Sequence, residues 1–139
     1  MDNHTKAKEG QKHTLAQKRA FHAYKAIEDL KRKSSYGKYV SYVKGLPATI
    51  IFSGLGQALA MEKMGAQKDS GHELLYRHID IWLREGWENS PYKRKEFQDI
   101  VQAIVSGCER DYIRAQAEAI EYLAWLKKFA VAELEEEKS

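Results

Sequence analysis

The chain has 139 residues, 43% hydrophobic and 31% charged, which suits a single domain with a real core and excludes a disordered tail, a collagen-like fibre or a disulfide miniprotein. Two prolines and nine glycines are too few for an all-β design built on many tight turns. Net charge is only +3, but it is unevenly spread: residues 1–33 carry nine basic and four acidic residues, whereas residues 108–139 carry five and eight.

Residues 1–13 hold almost nothing apolar and are expected to form a disordered basic arm, with residues 14–139 as one α-helical domain. The opening lacks an apolar signal core, and no stretch reaches the ~18–20 apolar residues of a membrane span. The expectation is a cytoplasmic protein with no membrane partner.

Thr14 is placed to cap a first helix whose apolar face is Ala16, Ala20, Ala23, Ile27 and Leu30. Lys31-Arg32-Lys33 suits the negative end of its dipole, and Ser34-Ser35 ends it. A short segment, Tyr36 to Lys44, is expected to stop at Gly45, with Pro47 opening the next helix. The run Ala48 to Met64 reads as one buried helix in which Gly54 and Gly56 allow a neighbour to approach closely. Residues 65–71 read as a linker. Leu75, Ile79 and Trp82 mark a helix ended by Gly86, and Asn89-Ser90-Pro91 a turn. Phe97, Ile100, Val101 and Ile104 mark another helix, closed by Gly107.

Cys108 to Leu134 is the longest helix, with two adjacent apolar stripes. One is Tyr112, Ala115, Ala119, Tyr122, Leu126 and Phe129; the other is Ile113, Ala117, Ile120 and Ala124. So wide a face belongs at the centre of a bundle or continues into a partner. The expected fold is an all-α, single-domain bundle of about six helices with a long C-terminal helix.

Chemical motifs fail on inspection. His72-Glu73-Leu74-Leu75-Tyr76 has Tyr where a zinc protease needs its second His. Gly54-Leu55-Gly56 lacks the third glycine of a dinucleotide loop. Cys108 has no partner His by motif and reads as a small buried or interface residue; Glu133 to Glu137 reads as a solvated tail. No catalytic residue, metal site or cofactor is expected. An enzyme using scattered carboxylates such as Asp80 and Glu85 is the outlying alternative.

What remains is basic surface. Lys18, His22, Lys25 and Arg32 share one face of the first helix, interrupted by Asp29 and flanked by Arg19. Such a row spans about 20 Å, enough to follow several phosphates. In Tyr36-Gly37-Lys38-Tyr39-Val40-Ser41-Tyr42-Val43-Lys44, Lys38 and Lys44 suit phosphates, while the tyrosine spacing favours core packing over base stacking. Lys127-Lys128 is a third basic spot. A merely solvated face is the competing reading for the first row, and ordinary snorkelling from an apolar helix for Lys127-Lys128.

Three stretches together resemble the small subunit of the type III-B CRISPR effector, the Cmr complex. They are Gln17-Lys18-Arg19-Ala20; Tyr42-Val43-Lys44-Gly45-Leu46-Pro47-Ala48-Thr49-Ile50-Ile51, continuing into Gly54-Leu55-Gly56-Gln57-Ala58-Leu59-Ala60; and Tyr112-Ile113-Arg114-Ala115-Gln116-Ala117-Glu118-Ala119, followed by Tyr122 to Ala130. The likeness covers about residues 14–132. It implies a compact all-α protein that is not a nuclease. Several copies would stack beside the backbone subunits, near the large subunit, and help hold the duplex of CRISPR RNA and target RNA. The matching positions of contact are Lys18, Arg19, Lys44, Arg114, Lys127 and Lys128, with an internal Arg114–Glu118 pair as the alternative for Arg114. A protein–protein adaptor that never touches RNA is the rival class.

Overall fold

The computed structural model describes residues 12–135. Among them six α-helices carry the fold. Apart from Lys12 and His13, the expected N-terminal arm lies outside the described residues, as do Glu136 and Glu137 of the acidic tail.

Helix α1 (Leu15–Lys31) starts where Thr14 accepts from the Gln17 N–H at 3.0 Å and Gln17 Oε1 accepts from the Thr14 N–H at 2.8 Å. This reciprocal box satisfies two backbone donors that the helix start would leave open. Its buried face begins later than the spacing suggests: Ala23, Ala26, Ile27 and Leu30 are inside, whereas Ala16 is exposed.

Helix α2 (Tyr39–Ser53) corrects the expected break at Gly45 and Pro47, for it runs through both. Pro47 removes a helix donor and costs about 3 kcal/mol in an interior turn. Tyr39, Val40, Val43, Leu46 and Ile50 nonetheless fall on one buried face that spans the proline. Burying such side chains gives about 1.5–3 kcal/mol each, which outweighs the defect.

The break comes instead at Gly54, so the expected helix over 48–64 is two. Gly54 has φ of +86°, which only glycine adopts freely. Its N–H closes α2 on the Ile50 carbonyl at 2.7 Å, and its carbonyl accepts from Ala58 in α3 (Leu55–Gly65). The expected close approach is found there. Gln116 Oε1 accepts from the Leu55 N–H and Tyr112 Oη from the Gly56 N–H, both at 2.9 Å. Two side chains of the final helix thus cap the start of α3.

Residues 66–69 form a tight turn rather than a longer linker, because α4 (Ser70–Ile81) begins early. Asp69 caps it from the Gly71 N–H at 2.9 Å and also accepts from the Lys38 N–H at 3.1 Å, joining the starts of α2 and α4. Helix α4 widens into a π-helical turn, Trp82–Gly86, which puts Trp82 and Leu83 both inside. An irregular segment follows. Helix α5 (Ile100–Ser106) starts at the Asp99 cap, so Phe97 packs on the core from outside the helix.

Helix α6 (Glu109–Glu133) packs along α1 and α2. It runs parallel to α1, since Arg19 meets Glu118 and Lys31 meets Glu133. Of its first stripe, Ala115, Ala119, Tyr122 and Leu126 are buried; of its second, Ile113, Ala117 and Ala124 are exposed. Cys108 is exposed in front of this helix, not buried, because the chain is still extended at that cap position and has not yet turned onto the core.

Candidate nucleic-acid interface

Parallel packing of α1 on α6 divides the basic residues of α1 into two kinds. Arg19 points inward. Its Nε and Nη2 donate to Glu118 Oε2 and Oε1 at 2.6 and 2.8 Å, and Trp82 Nε1 donates to the same carboxylate at 2.9 Å. The Arg19 side chain is 15% exposed and that of Glu118 5%. The hydrogen bond to Glu118 raises the Arg19 pKa further, against desolvation. Arg19 therefore ties α1 to α6 and the Trp82 turn, which departs from its expected place at the surface.

His22 also leaves the expected row of cations. It packs against both the Trp82 and Tyr122 rings, which stack on each other, with Nδ1 2.8 Å from Tyr122 Oη. Burial lowers its pKa to about 4, so it is neutral at pH 7. His78 is a second case, 2.7 Å from Tyr39 Oη and lowered to about 3 by burial and, less, by His22, Arg77 and Lys33.

Lys18 and Lys25 remain on the outer side of α1. They border a groove of about 910 Å³ between α1 and the Trp82 turn. Phe21, His22 and Trp82 contribute rings to it, and Lys93 from the irregular segment also lines it. Glu88 pairs with Lys18, but their side chains are 68% and 40% exposed. Asp29, also on the groove, is paired with Arg32 at 2.6 Å, again in the open. Exposed pairs of this sort hold weakly and exchange readily for other charged groups.

No helical pattern singles out Lys93. Its signal is the run Lys93-Arg94-Lys95, which sits in a segment without periodicity. Arg94 is engaged by Glu96 and lies 5.9 Å from the Phe97 ring centroid.

The other candidates lie on other elements. Lys38 is exposed at the start of α2 and Lys44 further along it. Lys127 and Lys128 are exposed near the end of α6, with Lys128 Nζ 3.5 Å from the Ala124 carbonyl. Arg114 lies over the Trp87 ring at 5.4 Å, donates to the Asn89 carbonyl at 3.1 Å and sits 3.7 Å from Asp111. It does not pair with Glu118, whose carboxylate Arg19 and Trp82 occupy. The tyrosines are packing residues: Tyr39 is fully buried, Tyr42 stacks on His72 at 3.5 Å, and Tyr36 donates to the Glu135 carbonyl.

Among the described residues no cluster of three His, Cys, Asp or Glu side chains could hold a metal. His72 hydrogen-bonds with Glu62 at 2.8 Å. Asp80 accepts from Arg84 at 2.7 and 2.9 Å and from the Ile100 N–H at 2.7 Å, so its carboxylate is spent on joining α4 to α5. No helix of the described residues is long and apolar enough to cross a membrane.

Residues 15–133 match the model of the CRISPR-associated protein family Cas_Cmr5. The chain belongs to that family. It is thus a small subunit of the type III-B Cmr complex, a member of an assembly with other Cmr subunits. The fold is similar to that of a CRISPR-associated Cmr5 family protein from Thermus thermophilus, whose crystal structure superposes with a TM-score of 0.69 at 22% identity. The match covers 88% of this chain and 100% of that one.

Proposed function

We propose that this Cmr5-family subunit is a non-catalytic scaffold that helps hold the duplex of CRISPR RNA and target RNA, several copies stacking beside the backbone subunits in the cytoplasm. The observation that carries the reading is the lysine-bordered groove along α1, where Lys18 and Lys25 keep the outer face of a helix whose inner arginine is consumed by the core. Arg32 at the end of α1, Lys38 and Lys44 at the start of and along α2, and Arg114, Lys127 and Lys128 on α6 extend the contact set. Arg19 is not in it.

Phosphate neutralisation releases counterions, so affinity falls with salt in proportion to the contacts made. Replacing Lys18, Lys25 and Lys44 by Ala weakens RNA binding by the complex and lowers the salt slope by about 0.7–0.9 per lost contact. Affinity and slope both unchanged in all three would sink the reading.

The adaptor reading has its own support in Phe52 and Ile51, which are 91% and 69% exposed where α2 ends. Apolar side chains displayed this openly suit a protein partner. Ultraviolet crosslinking of the assembled complex separates the readings: RNA attached to this subunit favours the scaffold, and crosslinks to other subunits alone favour the adaptor.

A further inference from the structure

The groove on α1 has more shape than phosphate neutralisation requires. Lys18 and Lys25 stand seven residues apart, about 10.5 Å along the helix, with Phe21 between them. Phe21 is 40% exposed, whereas Trp82 is buried at 1%, and Lys93 of the irregular segment also lines the groove. Gly86 closes one wall: a Cβ there would come within 2.6 Å of the Trp82 ring and 3.0 Å of His22, so the bare backbone keeps the wall close. The volume of about 910 Å³ falls in the range of small-ligand sites.

We infer that this groove seats an unpaired ribonucleotide, its base against Phe21 and its flanking phosphates on Lys18, Lys25 and Lys93. The inference rests on the reading that this subunit meets RNA, and it adds that beside the duplex contact this face receives a nucleotide that has left the base stack. In an A-form duplex the base faces are stacked on one another and only edges and backbone are offered. A splayed base presents a flat face to an aromatic side chain, and lysines on both rims meet the strand on either side. An acidic peptide would satisfy the lysines but leave the ring without a planar partner.

The test uses the full chain with a fluorescent short RNA strand, the same strand annealed to its complement, and a polyglutamate peptide. Phe21→Ala is expected to weaken single-strand binding roughly 5- to 150-fold while leaving duplex binding and the salt slope unchanged, because the lost contact is stacking rather than charge. Phe21→Tyr, which keeps the ring, restores the affinity. Thermal melts of both variants show that the fold survives. A neutral Phe21→Ala, with Lys18→Ala and Lys25→Ala still weakening binding, overturns the nucleotide groove but leaves phosphate contact standing. Equal losses on strand and duplex also overturn it. Binding of polyglutamate in place of either RNA overturns both readings.

Discussion

Glu118 accepts from Arg19 and from Trp82, and its side chain is 5% exposed. Glu118→Ala strands a buried guanidinium and an indole N–H, and removing one partner of such a pair costs about 3–5 kcal/mol. The discount for the partly solvated Arg19 puts the expected loss near the low end, about 3 kcal/mol, readable as a shifted midpoint in urea unfolding. His22 and His78 set the pH response. Their folded pKa values, about 4 and about 3, lie below the ordinary 6.5. Between those values the unfolded chain binds the extra protons, so stability is complete above pH 6.5 and declines as pH falls, by up to roughly 1.4 kcal/mol per pH unit for each histidine. His22→Gln and His78→Gln flatten that decline in a stability–pH series, while the depressed carboxylates Asp69 and Asp99 keep a loss at lower pH. None of this is visible in the sequence, where His22 counts as one more basic residue in a row.

At the scale of the elements, Gly45 and Gly54 show what ends a helix and what does not. A Cβ on Gly45 meets nothing within 4 Å, and the residue is exposed inside α2. Gly45→Ala is expected to stabilise the fold by about 0.5–1 kcal/mol, because alanine loses less backbone freedom in a helix. Gly54→Ala has the opposite sign. Its φ of +86° and ψ of 157° lie in a region that essentially only glycine enters, which costs an L-residue about 1–3 kcal/mol, and the Cβ would lie 2.9 Å from Tyr112 Oη. Paired thermal melts of the two variants check the contrast. Local rules favour a stop at Gly45-Leu46-Pro47, and a buried face that continues across the proline overrides them. The stop at Gly54 depends on Tyr112 and Gln116, which cap the Gly56 and Leu55 amides from 56 and 61 residues away and which no local pattern contains.

For the whole molecule, charge placement matters more than total charge. The basic N-terminal quarter and the acidic C-terminal end meet where Lys31 pairs with Glu133 and Arg19 with Glu118, so part of the apparent asymmetry is consumed internally. What stays outside is the groove border and the scattered lysines of α2 and α6. Lys93→Ala should therefore lower RNA affinity and salt slope about as much as Lys25→Ala, measured by fluorescence anisotropy over a salt series, although only Lys25 belongs to a helical row. The stripe of Ile113, Ala117 and Ala124 stays exposed on α6, available to a neighbour in the assembly.

The all-α class, the Thr14 cap and the buried stripe of α6 were legible in the amino-acid order, because capping chemistry and 3.6-residue periodicity are local. The three stretches of resemblance likewise pointed to the family. The contacts between helices decided the rest: that Arg19 is structural, that His22 is uncharged, that Lys93 joins Lys18 and Lys25 across a groove, and that the break falls at Gly54. Burial, desolvation and the meeting of distant side chains depend on how helices pack, and a one-dimensional spacing rule places a residue on a face without saying what that face will touch.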